Sequence, residues 1–267
     1  MSRTLKRITL QPDDLLFFLH IPKTGGISLQ TILESHFPPE AICPLHTFAT
    51  PEKFAQYSQE QREQWRLVRG HMRVGSYSPV YRFVGQNPIC VTFLRDPILR
   101  VVSEYHHILR HLDNWLHQEF VTQQISLKEY VTNPQYAYLA TNYQMFMLTG
   151  TVWGNMFMDR TKDRGPLLSD EARLALAKQR LEQYVFVGLT EQYPQSVELL
   201  NYTFGWEPMT KIPFLNTAPK KTSLDDLDEA TRAALMACTE GDRALYAFAQ
   251  ELFAERYGQM KAALSGG

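Results

Sequence analysis

At 267 residues, 44% of them hydrophobic and 21% charged, with a formal charge of -1, the chain can bury one large core and has no bulk attraction for nucleic acid. Its longest apolar run, Leu15–Leu19 with Ile21 beyond His20, falls far short of the roughly 20 residues of a membrane span, and the basic start MSRTLKRITLQPDD contains no apolar export stretch, so a cytoplasmic protein without integral membrane contact is expected. Cys43, Cys90 and Cys238 are too few and too far apart for a disulfide framework or a zinc cluster and read as buried thiols.

No repeat, low-complexity segment or linker divides the chain, and one domain over residues 1–267 is the expectation. It opens with an apolar strand at Leu15–Leu19. Pro22-Lys23-Thr24-Gly25-Gly26 then forms a turn, and Leu29, Ile32 and Leu33 follow at helical spacing. Such a turn aims N–H groups and the positive end of a helix dipole at one point, where the glycines allow close approach and Lys23 adds charge; it is a preformed anion site. Lys23 precedes Gly25 and Gly26, the reverse of G-x-x-x-x-G-K-[ST], so ATP held with magnesium is not expected. Leu67-Val68-Arg69-Gly70 reads as a second strand that carries His71 to a sheet edge, and Ile89–Leu94 as a third. The third runs into Arg95 and then Asp96-Pro97, an N-cap with proline at the first helical position, ahead of a stripe of Ile98, Val101, Val102, Tyr105, Ile108, Leu109 and Leu112. Residues from about 115 to 166 are rich in aromatics and methionines with weak periodicity and read as a helical lid or insertion. A strand at Val185–Val187 and a late helix carrying Leu245, Phe248, Leu252 and Phe253 complete the pattern. Strands without polar alternation, separated by helices, imply an α/β domain of three layers, a central parallel sheet with helices on both faces.

Two parallel strands that each end in an anion-ready turn at one sheet edge would hold two separated phosphates, so a nucleotide phosphorylated on two different carbons fits, with Arg95 and Ser103 at the second turn. His71 is the candidate base, because a neutral imidazole takes a proton from an alcohol near pH 7. No acidic residue lies between Gln64 and Arg95, whereas Arg66, Arg69, Arg73, Arg82 and Arg95 do, and their field could serve the nucleotide, an anionic acceptor, or simply solvated surface. Glu104, His107 and His111 have a spacing compatible with zinc but no identifiable further ligand, and a polar helix face is the expectation.

HIPKTGGIS and LRDPILRVVS resemble the 5′-phosphosulfate loop and the 3′-phosphate motif of sulfotransferases that use 3′-phosphoadenosine 5′-phosphosulfate (PAPS), in the carbohydrate-type branch that includes heparan sulfate 2-O-sulfotransferase and its bacterial relatives. VRGHMRVG, TNYQMFMLTG, VFVGLTEQYPQSVELL and DRALYAFAQELF are similar to later elements of that family, so the resemblance covers most of the chain. It implies a P-loop-like fold and sulfuryl transfer from PAPS, without a metal, to a hydroxyl of a carbohydrate or other alcohol. Lys23 would contact the bridging oxygen of the donor; Thr24, Gly25, Gly26 and Ser28, with the backbone of Ile27, would bind the 5′-phosphate; Arg95 and Ser103 would hold the 3′-phosphate. His71 would activate the acceptor, and Lys220 and Lys221 in NTAPKKTS would cover the nucleotide. The chain departs from the family pattern at Ile27, at Arg73-Val74 and at Phe146, the last two in the region expected to meet the acceptor. A small-molecule kinase and a non-catalytic nucleotide-binding protein of the same fold are the alternatives.

Overall fold

A strand that is apolar on both faces must be covered from both sides, and the four runs that meet this condition form the sheet. In the computed structural model, which describes residues 3–45, 51–71, 88–150, 168–207 and 226–266, they are β1 (Leu16–Leu19), β2 (Leu67–Gly70), β3 (Ile89–Leu94) and β4 (Phe186–Leu189). All pair in parallel in the order β2-β1-β3-β4, with Leu16 opposite both Leu67 and Ile89, and Val91 opposite Phe186. Every residue of β1, β2 and β4 is buried. Because the strands are parallel, their carboxyl ends share one edge, where β1 delivers His20, β2 His71, β3 Arg95 and β4 Thr190.

The helices are α1 (Gly26–Glu34), α2 (Pro51–Phe54), α3 (Gln59–Glu63), α4 (Pro97–Arg110), α5 (His117–Thr122), α6 (Leu127–Thr132), α7 (Tyr143–Thr149), α8 (Asp170–Gln183), α9 (Tyr193–Phe204), α10 (Glu229–Cys238) and α11 (Glu240–Ser265). α4 begins as its sequence predicts, with the Asp96 carboxylate accepting from Leu99 N at 2.9 Å. It stops at Arg110, because His111 turns to extended backbone, and Leu112 is therefore 84% exposed and not part of the buried stripe.

Two apolar cores hold these elements. The main one packs Phe17, Phe93, Phe186, Leu181, Leu200 and Phe253 around the sheet. A second joins Val101, Ile108, Phe120, Tyr130 and Leu235 from α4, α5, α6 and α10. The segment expected as one helical lid or insertion divides between them: α5 and α6 pack in the second core, while Met145, Phe146 and Leu148 of α7 belong to the main core. Phe146 is thus interior packing; residues 151–166 lie outside the described ones. All three cysteines are free and buried, and among the described residues no helix is long and apolar enough to cross a membrane.

Candidate active site

The loop between β1 and α1 bends twice through the left-handed region, at Lys23 (φ 68) and Gly25 (φ 79). Glycine adopts this conformation freely, but a lysine there is strained by roughly 1–2 kcal/mol and must be held. Three bonds hold it. The Thr24 hydroxyl donates to Ile21 O at 2.9 Å, Arg95 Nη1 donates to Lys23 O at 3.1 Å, and the Thr190 hydroxyl donates to Thr24 O at 2.6 Å with Leu94 O 3.1 Å away. Gly26 is needed for a different reason: a Cβ there would stand 2.0 Å from the His20 ring.

α1 starts at Gly25 without a side-chain cap or an acidic residue in its first turn. Helices α3, α4, α6, α8 and α10, by contrast, are capped by Ser58, Asp96, Ser126, Ser169 and Asp228. The first-turn N–H groups of α1 therefore face the sheet edge with the dipole's positive end and, among the described residues, no side-chain cap or first-turn carboxylate against them. The two hydroxyls of the loop are turned inward. Thr24 is fully buried and closes the turn, and Ser28 is buried as well. Backbone N–H groups of Gly25 to Ser28, with the half-exposed Ile27 among them, are what the loop offers a phosphate.

His71 Nδ1 lies 2.7 Å from His20 O. A carbonyl only accepts, so Nδ1 carries the hydrogen and the neutral ring's lone pair is on Nε2. The His20 ring, 4.4 Å from that of His71 and stacked on Phe18 at 5.3 Å, is held neutral: burial lowers its pKa well below 6.5, helped by His71 and Lys23. Burial also lowers the pKa of Lys23, with Arg95, Arg110 and Arg100 adding to the effect and Glu104 opposing it. Arg95 is lowered by burial too, against Glu191 and Asp96. Cations gathered and desolvated in this way gain from a bound polyanion.

Ser103 sits half-buried on α4, on the helix face shared with Glu104 and His107. His107 is kept neutral, its pKa lowered to about 4 by burial, by Lys23 and by His111. Its ring packs 4.0 Å from that of His111, and among the described residues no group of three or more His, Cys, Asp or Glu side chains could hold a metal ion. Two arginines of the expected positive field are structural clamps. Arg66 donates to the carbonyls of Pro12, Glu63 and Trp65, and the buried Arg69 donates to Glu34 Oε1 and Cys43 O, both at 2.6 Å. Arg73, Arg82, Lys220 and Lys221 lie outside the described residues.

The fold thus joins Lys23, Arg95 and His71 through backbone carbonyls, and adds His20, Thr190, Gln144 and Glu191, to which sequence reasoning gave no role. A lysine-bearing glycine turn, an arginine turn on the neighbouring strand and a histidine of fixed tautomer meet at one sheet edge of a parallel α/β fold, the layout of a group-transfer domain. Its family follows from comparison: the chain matches the family model described as "Sulfotransferase family" over residues 6–248, and it belongs to that family. Heparan-sulfate 6-O-sulfotransferase 2 of Gallus gallus is 27% identical over 96% of this chain and 72% of its own length. Heparan-sulfate 6-O-sulfotransferase 3-B of Danio rerio is 26% identical over 93% of this chain and 66% of its own length. For heparan-sulfate 6-O-sulfotransferase 2 of Mus musculus the identity is 26%, covering 94% of this chain and 46% of that protein. These relatives are carbohydrate-type enzymes, as the resemblance implied, and their names specify 6-O where it had pointed to the 2-O branch.

Proposed function

We propose that the chain transfers the sulfuryl group of PAPS to a hydroxyl of a carbohydrate acceptor, by analogy with the heparan-sulfate 6-O-sulfotransferases it resembles. The observation that carries this reading is the 2.7 Å contact between His71 Nδ1 and His20 O. It ties the base to the loop that bears Lys23 three residues on, so the group that accepts a proton and the group that receives negative charge ride on one rigid turn.

PAPS supplies an electrophilic sulfur whose leaving group is a phosphate oxygen. The N–H groups of residues 25–28 and the α1 dipole would bind the 5′-phosphate, and Arg95 with Ser103 the 3′-phosphate. His71 Nε2 takes the acceptor hydroxyl's proton as its oxygen attacks, and the imidazolium that results keeps its Nδ1–H on His20 O. Lys23 stabilises the departing oxygen, a fixed-donor effect worth typically about 3–4 kcal/mol. The nearby Glu104 charge favours its protonated form.

The test is release of 3′-phosphoadenosine 5′-phosphate (PAP) coupled to sulfate incorporation, across heparosan-type, chondroitin-type and neutral glycans. Lys23→Ala and His71→Ala should each lower transfer by roughly a hundredfold or more. Normal turnover in either variant removes that residue from the mechanism, and absence of transfer by the unaltered protein to every glycan rejects the acceptor class.

A further inference from the structure

At the junction of β3 and α4 strand pairing has ended and helical bonding has not begun, so the peptide groups of Arg95 and Asp96 need other partners. Gln144, only 1% exposed, serves Arg95 in both senses: its Oε1 accepts from Arg95 N at 3.0 Å and its Nε2 donates to Arg95 O at 2.8 Å. Glu191 Oε1 accepts from Asp96 N at 3.2 Å and lies 3.9 Å from Arg95 Nε. Every strong backbone group at the turn from Arg95 N to Asp96 N is thereby held by a side chain from elsewhere in the sequence.

α11 in turn holds the backbone that carries Gln144 and the carboxylate of Glu191. The Asp242 carboxylate accepts from Gln144 N at 2.9 Å and Met145 N at 2.8 Å, while Asn142 Oδ1 accepts from Asp242 N at 2.9 Å. Gly241 permits this approach, since a Cβ there would come to 3.0 Å from Asn142 Nδ2 and Met145 Cε. One helical turn beyond Asp242, the Tyr246 hydroxyl donates to Glu191 Oε2 at 2.5 Å. Two adjacent turns of one helix therefore grip the arginine turn through Gln144 on one side and Glu191 on the other. The guanidinium starts from that held backbone, and its Nη1 donates to Lys23 O at 3.1 Å.

We propose that Gln144 and Glu191, anchored by Asp242 and Tyr246 of α11, are positioning residues that set the donor site's preference for a 3′-phosphorylated nucleotide. The inference rests on the reading of Arg95 as the 3′-phosphate group. A side chain that merely stabilised the fold would, on removal, weaken all nucleotides alike; one that aims Arg95 affects only those with a 3′-phosphate.

The experiment is calorimetric titration of the full chain with PAP and with ADP, which lacks the 3′-phosphate. The unaltered protein should bind PAP at least about tenfold more tightly than ADP, and Gln144→Ala should cut that ratio by about tenfold while leaving ADP affinity within about twofold. Tyr246→Phe keeps the ring in its packing and removes only the hydroxyl, and should cut the ratio by about threefold. An unchanged ratio in folded Gln144→Ala overturns the proposal; if that variant does not fold, an unchanged ratio in Tyr246→Phe does so. No preference for PAP in the unaltered protein rejects the donor-site reading itself, and the proposal with it.

Discussion

Gly26 and Gly258 show how the same residue type answers to different physics. In a helix a glycine is worse than an alanine by about 1 kcal/mol, so Gly258→Ala on exposed α11, where an added Cβ meets nothing within 4 Å, should raise stability by up to about that amount. Gly26→Ala gains the same propensity at the start of α1, but its Cβ would lie 2.0 Å from Cδ2 and 2.1 Å from Nε2 of His20, a buried ring with nowhere to go. Displacing His20 moves the carbonyl that orients His71. Gly26→Ala should therefore lower the melting temperature and reduce sulfuryl transfer by about tenfold or more, a loss typical of a misplaced catalytic group. Parallel melting curves and PAP-release assays on the two variants check both signs; full activity in Gly26→Ala would separate His20 from the mechanism.

At the scale of elements, the β3–α4 junction carries two separable functions. The Asp96 carboxylate caps α4, whereas its backbone N–H serves Glu191, and alanine keeps the second while losing the first. Asp96→Ala should lose about 1 kcal/mol in urea unfolding and change PAP affinity by less than about threefold. A larger affinity loss would mean that the cap, and not the backbone contacts, holds Arg95. This cap was legible in the sequence, as were all four strands, because both are local: an Asp-Pro step before an apolar stripe, and short runs of mainly apolar residues, state their structure within one short window. The glycine turn between β1 and α1 was legible for the same reason. The grip on Arg95 was not, since Gln144 lies 49 residues away and Glu191 reaches Asp96 across 95, and a lone Gln or Glu has no pattern. Nor could the sequence tell that Arg66 and Arg69 spend their donors on neighbouring carbonyls and Glu34, because a charge run says nothing of where the heads point.

For the molecule as a whole, α11 is the member that connects the sheet, α7 and the arginine turn, and Asp242 is its buried carboxyl group. Burial raises the Asp242 pKa from 3.8 to about 6, against the two N–H groups of α7 and the Arg100 charge, which favour the anion. Between those values the unfolded chain has already lost the proton while the folded protein keeps it, so stability is greatest below the lower value, falls as pH rises to about 6, and is flat above. The span corresponds to a loss on the order of 2–3 kcal/mol. Other carboxylates add slopes of their own, but Asp242→Asn removes this one, keeping a single acceptor oxygen for the α7 N–H groups. Urea unfolding of both proteins from about pH 4 to about pH 7 should therefore give curves of different slope, the unaltered protein losing stability relative to the variant as pH rises. Parallel curves would show that Asp242 is ionised throughout, held by the α7 helix terminus strongly enough to overcome its burial.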